Sequence, residues 1–131
     1  MKNKILLLGL FCCSLISANA QVLLDKGTGK NSFPIVSSST NAVVCFDGKD
    51  ATVVRKSASL FVDDVRRVTG QELKMDESKP GKVSARYAII AGTIGESGWI
   101  DVLASRNKID TAAIAGSWER YMIEVVNNPV P

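Results

Sequence analysis

The run Ala42–Gly48 (AVVCFDG) decides the fold, together with the helical pattern that follows it. Its first five residues, Ala42–Phe46, are apolar and partly β-branched, which is typical of a strand buried on both faces, and Asp-Gly closes the run with turn chemistry. A buried strand that leads into an amphipathic helix predicts an α/β fold. The helical pattern runs from Ala51 to Val68, and its apolar residues form one stripe: Val54, Ala58, Phe61, Val65 and Val68.

The residues around this unit predict how it begins and ends and which elements flank it. Asp50 is expected to cap the first helix, and Gly70 is expected to end it as a left-handed glycine. A second helix is expected over about Gly98–Ser105, with Ser97 as its cap and an inward face of Ile100, Leu103 and Ala104. Further strands are expected at four places. Phe33–Val36 is expected at a sheet edge and a short strand from Leu73 to Met75. Tyr87–Ala91 is expected to be buried on both faces, and the side chains of Trp118–Val126 are expected to alternate between two faces.

The order β-β-α-β-β-α-β predicts an α/β fold, a two-layer sandwich with a mixed β-sheet packed by helices. Turns or irregular chain are expected between these elements, with a short helix at Thr111–Ile114. The turns and loops are Ser37–Asn41, Asp76–Val83 and Gly92–Gly98.

The first 20 residues have the three parts of a cleavable signal peptide. Lys2 and Lys4 form a positive start, Ile5–Ser17 is apolar, and Ala18–Ala20 is a small-x-small cleavage site. A membrane anchor would need about 20 apolar residues, and a lipid-modified Cys12 would need a small residue before it, so both alternatives rank lower. The expected organisation is a signal peptide at residues 1–20, a leader at 21–32 and an α/β domain at 33–131. The product is expected to be secreted or periplasmic.

Removal of the signal changes the charge and cysteine content of the chain. The whole chain has 16 basic and 13 acidic residues, and the two signal lysines leave a mature net charge of +1. A near-neutral chain gives no reason to expect nucleic acid as a partner, and no membrane partner is expected after cleavage. Of the three cysteines, Cys45 alone remains, so no intrachain disulfide is expected and its thiol is predicted to be a buried apolar group.

The chain contains no histidine, which excludes Ser-His-Asp and Cys-His catalysis and every His-ligated metal site. Gly27–Lys30 (GTGK) hints at a phosphate loop, but Leu24 and Asn31 stand where that motif needs Gly and Ser or Thr. The Gly92–Gly98 turn could hold an anion on backbone amides, although a turn that needs a positive φ at glycine is favoured. No catalytic, cofactor-binding or metal-binding residue is therefore assigned, and no cofactor is expected.

Carboxylates and tryptophans are the residues from which a sugar site could be built. Glycoside hydrolysis needs two carboxyl groups about 5–10 Å apart, whereas Asp63 and Asp64 diverge on a helix and Asp63 is expected to pair with Arg67. A solvated role is favoured for Asp63, Asp64 and the other carboxylates, which are Asp101, Asp110, Glu119 and Glu124. A core or interface role is favoured for the two tryptophans, Trp99 and Trp118.

Four segments resemble, in order and spacing, the N-terminal domain of glycoside hydrolase family 115, the xylan α-glucuronidases. They cover nearly all of residues 33–131: Phe33–Val36 (FPIV), Val62–Gly70 (VDDVRRVTG), Ala88–Gly95 (AIIAGTIG) and Trp118–Pro131 (WERYMIEVVNNPVP). The helix end Arg-Val-Thr-Gly also occurs in the similar domain before the barrel of β-hexosaminidases and of another α-glucuronidase family. Asn127-Asn128 departs from the Asp-Asn of family 115.

The resemblance implies a β-hexosaminidase domain-2-like fold and a role in removing glucuronic or 4-O-methylglucuronic acid from xylan. In that family a further strand, a helix and a catalytic (β/α)8 barrel follow this domain, and a barrel needs about 250 residues. The chain is therefore expected to be a fragment that lacks the barrel, with a domain incomplete at its C-terminus, so none of the family's catalytic carboxylates is carried over. The alternatives are a free-standing carbohydrate-binding module and the front domain of a hexosaminidase-like enzyme.

Overall fold

The apolar run after Asn41 forms the central strand of a small parallel sheet. The structure, a computed structural model, describes residues 33–83 and 85–129; the predicted signal peptide, leader and Gly27–Lys30 motif lie outside them. The elements are β1 (Val43–Phe46), α1 (Thr52–Thr69), β2 (Lys74–Glu77), β3 (Ala88–Ile90) and α2 (Gly98–Ser105). The described residues thus form a small α/β fold, as the sequence predicts.

The sheet has the order β2-β1-β3, and both neighbours run parallel to β1. Val43 pairs with Lys74 on one side and with Ala88 on the other. The central position explains why β1 is the most buried strand, since its side chains are covered on both faces. β3 is only half-buried, less covered than predicted. The sheet of the described residues is therefore purely parallel, whereas the prediction was a mixed sheet.

α1 covers one part of the sheet with its apolar stripe. Ala58 and Val62 are buried against Val44, Phe46 and Leu73, and partly buried residues complete the contact: Val54, Phe61 and Val65. Val68, predicted to lie on the stripe, is 85% exposed, so the covered part of the stripe ends at Val65. Gly70 ends the helix as predicted, with a φ of 70° and its N–H donated to the Arg66 carbonyl at 2.9 Å.

The segment before β1 is a tight turn and not the predicted strand. A single antiparallel bridge joins Val36 to Asn41, and the Ala42 N–H donates to the Ile35 carbonyl at 2.8 Å. Ser37 closes the turn by donating its hydroxyl to the Thr40 carbonyl at 2.7 Å. Residues 35 and 36 therefore pair with residues 41 and 42 across this turn and form no strand of the sheet.

The predicted strand Trp118–Val126 is also wrong for this structure. No strand is assigned there, and its apolar side chains face solvent, with Trp118 87%, Tyr121 82% and Ile123 77% exposed. Glu119 has a φ of 53°, a left-handed backbone that interrupts an extended segment at its start. The alternating pattern is real, but no neighbouring strand pairs with it among the described residues. Residues 111–116 likewise form turns and not a helix.

Candidate functional site

The loops that follow β1 and β3 meet at one edge of the sheet. Because the two strands are parallel neighbours, their carboxyl ends lie side by side, and this edge is where open α/β sheets bind ligands. β1 continues into a loop that begins at Asp47, and β3 continues into the turn before α2. The contacts at this edge join six residues, which we call the carboxyl-edge cluster: Asp47, Asp50, Ser78, Thr93, Gly98 and Trp99.

Asp47 joins its own loop to the start of α2. Its Oδ1 accepts the Lys49 N–H at 3.0 Å, and its Oδ2 accepts the Gly98 N–H at 3.1 Å. The side chain is buried, so both oxygens are directed at backbone donors and away from solvent. Gly98 is the first residue of α2, where an N–H group has no partner within the helix. Asp47 therefore supplies the capping bond that was predicted to come from Ser97.

Asp50 makes a second connection across the same edge. Its Oδ2 accepts the Thr93 N–H at 2.8 Å, and its Oδ1 accepts the Ala51 N–H at 2.7 Å. The predicted capping role is wrong, because Ala51 is the N-cap of α1 and no side chain bonds to the cap. The carboxylate instead joins the β1–α1 loop to the turn after β3. Two aspartates of the β1–α1 loop therefore bond to backbone amides at or after that turn.

The first turn of α2 is held from a third direction by the chain after β2. Trp99 is buried and donates its indole Nε1–H to the Ser78 carbonyl at 2.8 Å. A Cβ at Gly98 would lie 3.2 Å from Pro80, so the chain passes close to the helix. Trp99 and Leu103 form the buried face of α2, with Ile100 and Ala104 half-buried. Three loops are thus fixed on one helix start.

Ser97 occupies the N-cap position of α2 without using its side chain as a cap. Its hydroxyl is fully buried and has no hydrogen-bond partner among the described residues. It packs against Gly92, where an added Cβ would overlap the Ser97 Oγ and lie 2.8 Å from Ile100 Cγ1. Gly92 is therefore required by close packing. Gly95, in the same turn, has open space around it and a φ of 80°, so its requirement is conformational.

The electrostatics of the cluster favour a structural role for Asp47. The backbone N–H of Lys49 is the largest cause that lowers the pKa of Asp47, and the Gly98 N–H and the charges of Lys49 and Lys79 lower it further, against burial, which raises it. A general acid or base needs a pKa near the working pH. Asp47 is held ionised and bonded to backbone, which suits an anchor and not a proton carrier.

The Gly92–Gly98 turn is a structural turn, as the favoured interpretation predicts. The amide at the start of α2 is already bonded to the Asp47 carboxylate, and the Thr93 amide is bonded to Asp50. A phosphate at this place would have to displace two carboxylates of the same chain and would be repelled by both. The positive φ at Gly95 is the conformational demand that was expected.

The other candidate residues are dispersed. Asp63 pairs with Arg66 at 3.0 Å and not with Arg67, while Asp64 faces Arg67 at 3.8 Å; the two carboxylates diverge as predicted. Trp99 is a core residue, as favoured, whereas Trp118 lies in solvent. Glu124 and Asp110 line an open groove of about 340 Å³ with Asn107, Lys108 and Ile109.

Cys45 is fully buried in β1, as predicted. Burial, and secondarily the charge of Asp76, raises the pKa of its thiol to about 11. A thiol held in this protonated form is neither a nucleophile nor a metal ligand at neutral pH. Within residues 33–83 and 85–129, no three potential metal-ligating side chains of the His, Cys, Asp or Glu type come together.

The anchoring role of Asp47 was not predicted from the sequence, which marked it only as a turn residue. An aspartate directly after a central parallel strand lies at the ligand-binding edge of such sheets, and that position was the available signal.

No protein-family model matches the chain, and no curated protein matches it significantly. Over the described part of the chain, the helices are all too short or too polar to cross a membrane.

Proposed function

We propose that this chain is the N-terminal, non-catalytic domain of an exported glycoside hydrolase that resembles the family 115 α-glucuronidases. The complete enzyme would remove glucuronic or 4-O-methylglucuronic acid from xylan, and this domain would pack against its catalytic barrel. The proposed complete fold is the two-layer sandwich with a mixed sheet. The proposal rests on the resemblance of the four segments quoted above.

The observation that carries the proposal is the agreement between these segments and the elements of the fold. Val62–Gly70 forms the second half of α1 and its left-handed end, and Ala88–Gly95 spans β3 and the first part of its turn. The carboxyl-edge cluster adds support, because its two aspartates are bonded to backbone amides and serve the fold. Phe33–Val36 and Trp118–Pro131 resemble the family in sequence but contain no strand in the described residues.

Incubation of the purified chain with glucuronoxylan oligosaccharides tests the non-catalytic role. We expect no release of uronic acid over the blank, while a family 115 enzyme in the same buffer releases it. Release at enzymatic rates that survives repurification would overturn the proposal.

Export is tested on the same chain with its own N-terminus, expressed in a secreting bacterium. We expect an exported product whose mass corresponds to a start at Gln21. Ala20→Arg should block processing because signal peptidase needs a small residue there, whereas Asn19→Ser, at the unrestricted middle position, should not. An intracellular product of full mass would contradict export.

A carbohydrate-binding module is the second candidate, favoured by the exposure of Trp118 and Tyr121. Exposed aromatic rings offer flat apolar faces to sugars. Titration with xylan, followed by tryptophan fluorescence, decides between the candidates. Binding measured by calorimetry that is lost in Trp118→Ala and kept in Val125→Ala, a matched exposed apolar control, would favour the module; an unchanged wild-type spectrum favours the accessory domain.

A further inference from the structure

The segment Arg120–Val126, which we call the tail segment, is strand-like in sequence and unpaired in structure. Among the described residues, none of its backbone N–H or C=O groups bonds to another backbone group. Its apolar side chains are exposed at Tyr121, Ile123 and Val125. A β-prone segment with a free backbone and alternating side chains is a template for pairing with another strand.

The tail segment is complementary to itself when two copies run antiparallel around Met122. In that register Arg120 lies opposite Glu124 of the second copy, and Glu124 lies opposite its Arg120. Tyr121 lies opposite Ile123 on the other face. Opposite charges and aromatic–β-branched pairs are the cross-strand pairs that stabilise antiparallel sheets.

The charges needed for this pairing are free in the single chain. Across residues 33–83 and 85–129 the ion pairs are Arg55–Glu77, Asp63–Arg66 and Asp64–Arg67, so neither Arg120 nor Glu124 has an ionic partner there. Arg120 donates one hydrogen bond, to the Ala113 carbonyl at 3.4 Å, and a guanidinium has five donors. Glu124 lies at the open groove with its side chain exposed.

We propose that the tail segment is a self-association surface, and that a second copy of this chain pairs with it as an antiparallel strand centred on Met122. The two crossed Arg120–Glu124 pairs set the direction and the register. A parallel in-register pairing would instead place Arg120 opposite Arg120 and Glu124 opposite Glu124, which is unfavourable. The inference is independent of the glycoside hydrolase proposal, since it uses only the charge pattern and exposure of this segment.

The register predicts which charge changes abolish association and which restore it. In analytical ultracentrifugation of the purified chain we expect a concentration-dependent dimer. R120E and E124R each replace two attractive pairs with two repulsive ones, so each should weaken self-association about tenfold or more. An equimolar mixture of R120E and E124R should dimerise again, because every opposed pair is then of opposite charge, and the R120E/E124R double variant should dimerise alone.

Cysteine cross-linking tests the centre of the pairing independently of its strength. Directly opposed Cα atoms in an antiparallel pair lie about 4.5–5.5 Å apart, within the range of a disulfide. Met122→Cys is therefore expected to form an intermolecular disulfide under mild oxidation. Val125→Cys is the matched control, because the two copies of residue 125 would lie about 20 Å apart along the strands. Cys45 is buried, so it is not expected to compete in the cross-linking.

The substituted residues are exposed, so the variants are expected to keep the wild-type circular dichroism spectrum and unfolding midpoint. A chain that remains monomeric up to millimolar concentration would overturn the proposal. So would a dimer that is unaffected by R120E, a mixture that associates no better than the single variants, or equal cross-linking at positions 122 and 125. Selective cross-linking at 122 together with restored association in the mixture would establish it.

Discussion

β1 and the tail segment are both short and both contain several β-branched residues, yet only β1 is a strand. β1 lies between two parallel neighbours, and Phe46 at its end is 1% exposed. The tail segment has no backbone partner among the described residues, and Ile123 is 77% exposed. The difference teaches that neighbouring strands, more than strand propensity, decide whether such a segment becomes part of a sheet.

The connections around β1 explain why it has partners. α1 packs on the sheet through Ala58 and Val62 and returns the chain to β2. The carboxyl-edge cluster then fixes the β1 and β3 loops on the start of α2. The tail segment follows a series of turns, and within residues 33–83 and 85–129 its one side-chain hydrogen bond to backbone runs from Arg120 to the Ala113 carbonyl. Predictions that separate the two regions follow, from the largest expected effect to the smallest.

Truncation of one apolar side chain in each region gives the sharpest contrast. Phe46→Ala removes a buried ring from the core and is expected to lower the free energy of unfolding by about 3–5 kcal/mol. Ile123→Ala changes an exposed residue, so its effect should stay within about 0.5 kcal/mol at a concentration where the chain is monomeric. Urea unfolding measures both values. Equal losses in the two variants would mean that the tail segment is packed in solution.

Substitutions of the two glycines in the turn before α2 test how tightly the region around β1 and its neighbouring strands is packed. Gly92→Ala forces a Cβ into Ser97 and Ile100 and should destabilise by about 1–3 kcal/mol through overpacking. Gly95→Ala meets no atom but must adopt a left-handed backbone, at a cost of about 1–2 kcal/mol. Thermal unfolding compares them. Gly95→Asn, which tolerates that backbone better, should recover part of the loss, whereas Gly92→Asn should not.

The carboxyl-edge cluster should make the free energy of unfolding depend on pH in the acid range. The pKa of Asp47 is lowered in the folded chain, so its contribution is fully present above the ordinary aspartate pKa of about 3.9 and is lost as the pH falls through the lower folded value. Asp47→Asn should therefore be less stable than wild type at pH 7. The difference in free energy of unfolding should shrink steadily below about pH 4. A difference that stays constant down to pH 2 would contradict an anchoring role for the ionised carboxylate.

Thiol labelling compares the two regions without any loss of stability. Burial raises the pKa of Cys45 to about 11, so it should react with a thiol reagent at pH 7 only as fast as the chain opens. A cysteine placed in the tail segment by Val125→Cys should react at nearly the rate of a free peptide thiol. Mass spectrometry of timed samples follows both sites in one chain. Rapid labelling of Cys45 under native conditions would show that β1 is not protected.

The elements with local signals could be predicted closely from the sequence. The stripe of α1 and the glycine after it place the helix to within a residue or two, and the run of five apolar residues places β1. The same reasoning failed for Phe33–Val36 and Trp118–Val126, where an extended pattern is present but the partner is not. Pairing is a property of two segments, and the pattern of one contains no information about the other.

The candidate site shows the same limit at the level of single side chains. The sequence placed Asp50 and Ser97 at helix starts, and both lie there, but the bond to α2 comes from Asp47, 51 residues away in the chain. Spacing in the sequence favours the nearest polar side chain as a cap. In the folded chain, the amide at the start of α2 is bonded by the carboxylate that the parallel strands place beside it.

The sequence by itself determined the helices, the central strand and the burial of Cys45, because these depend on periodicity and composition within a few residues. It also determined that no histidine-based chemistry is available, since the chain has none. Only the tertiary structure decided which strand-like segments pair, which carboxylates serve as anchors and which tryptophan is buried. Those outcomes depend on distances between segments far apart in the chain, and packing sets such distances only once the whole sheet has formed.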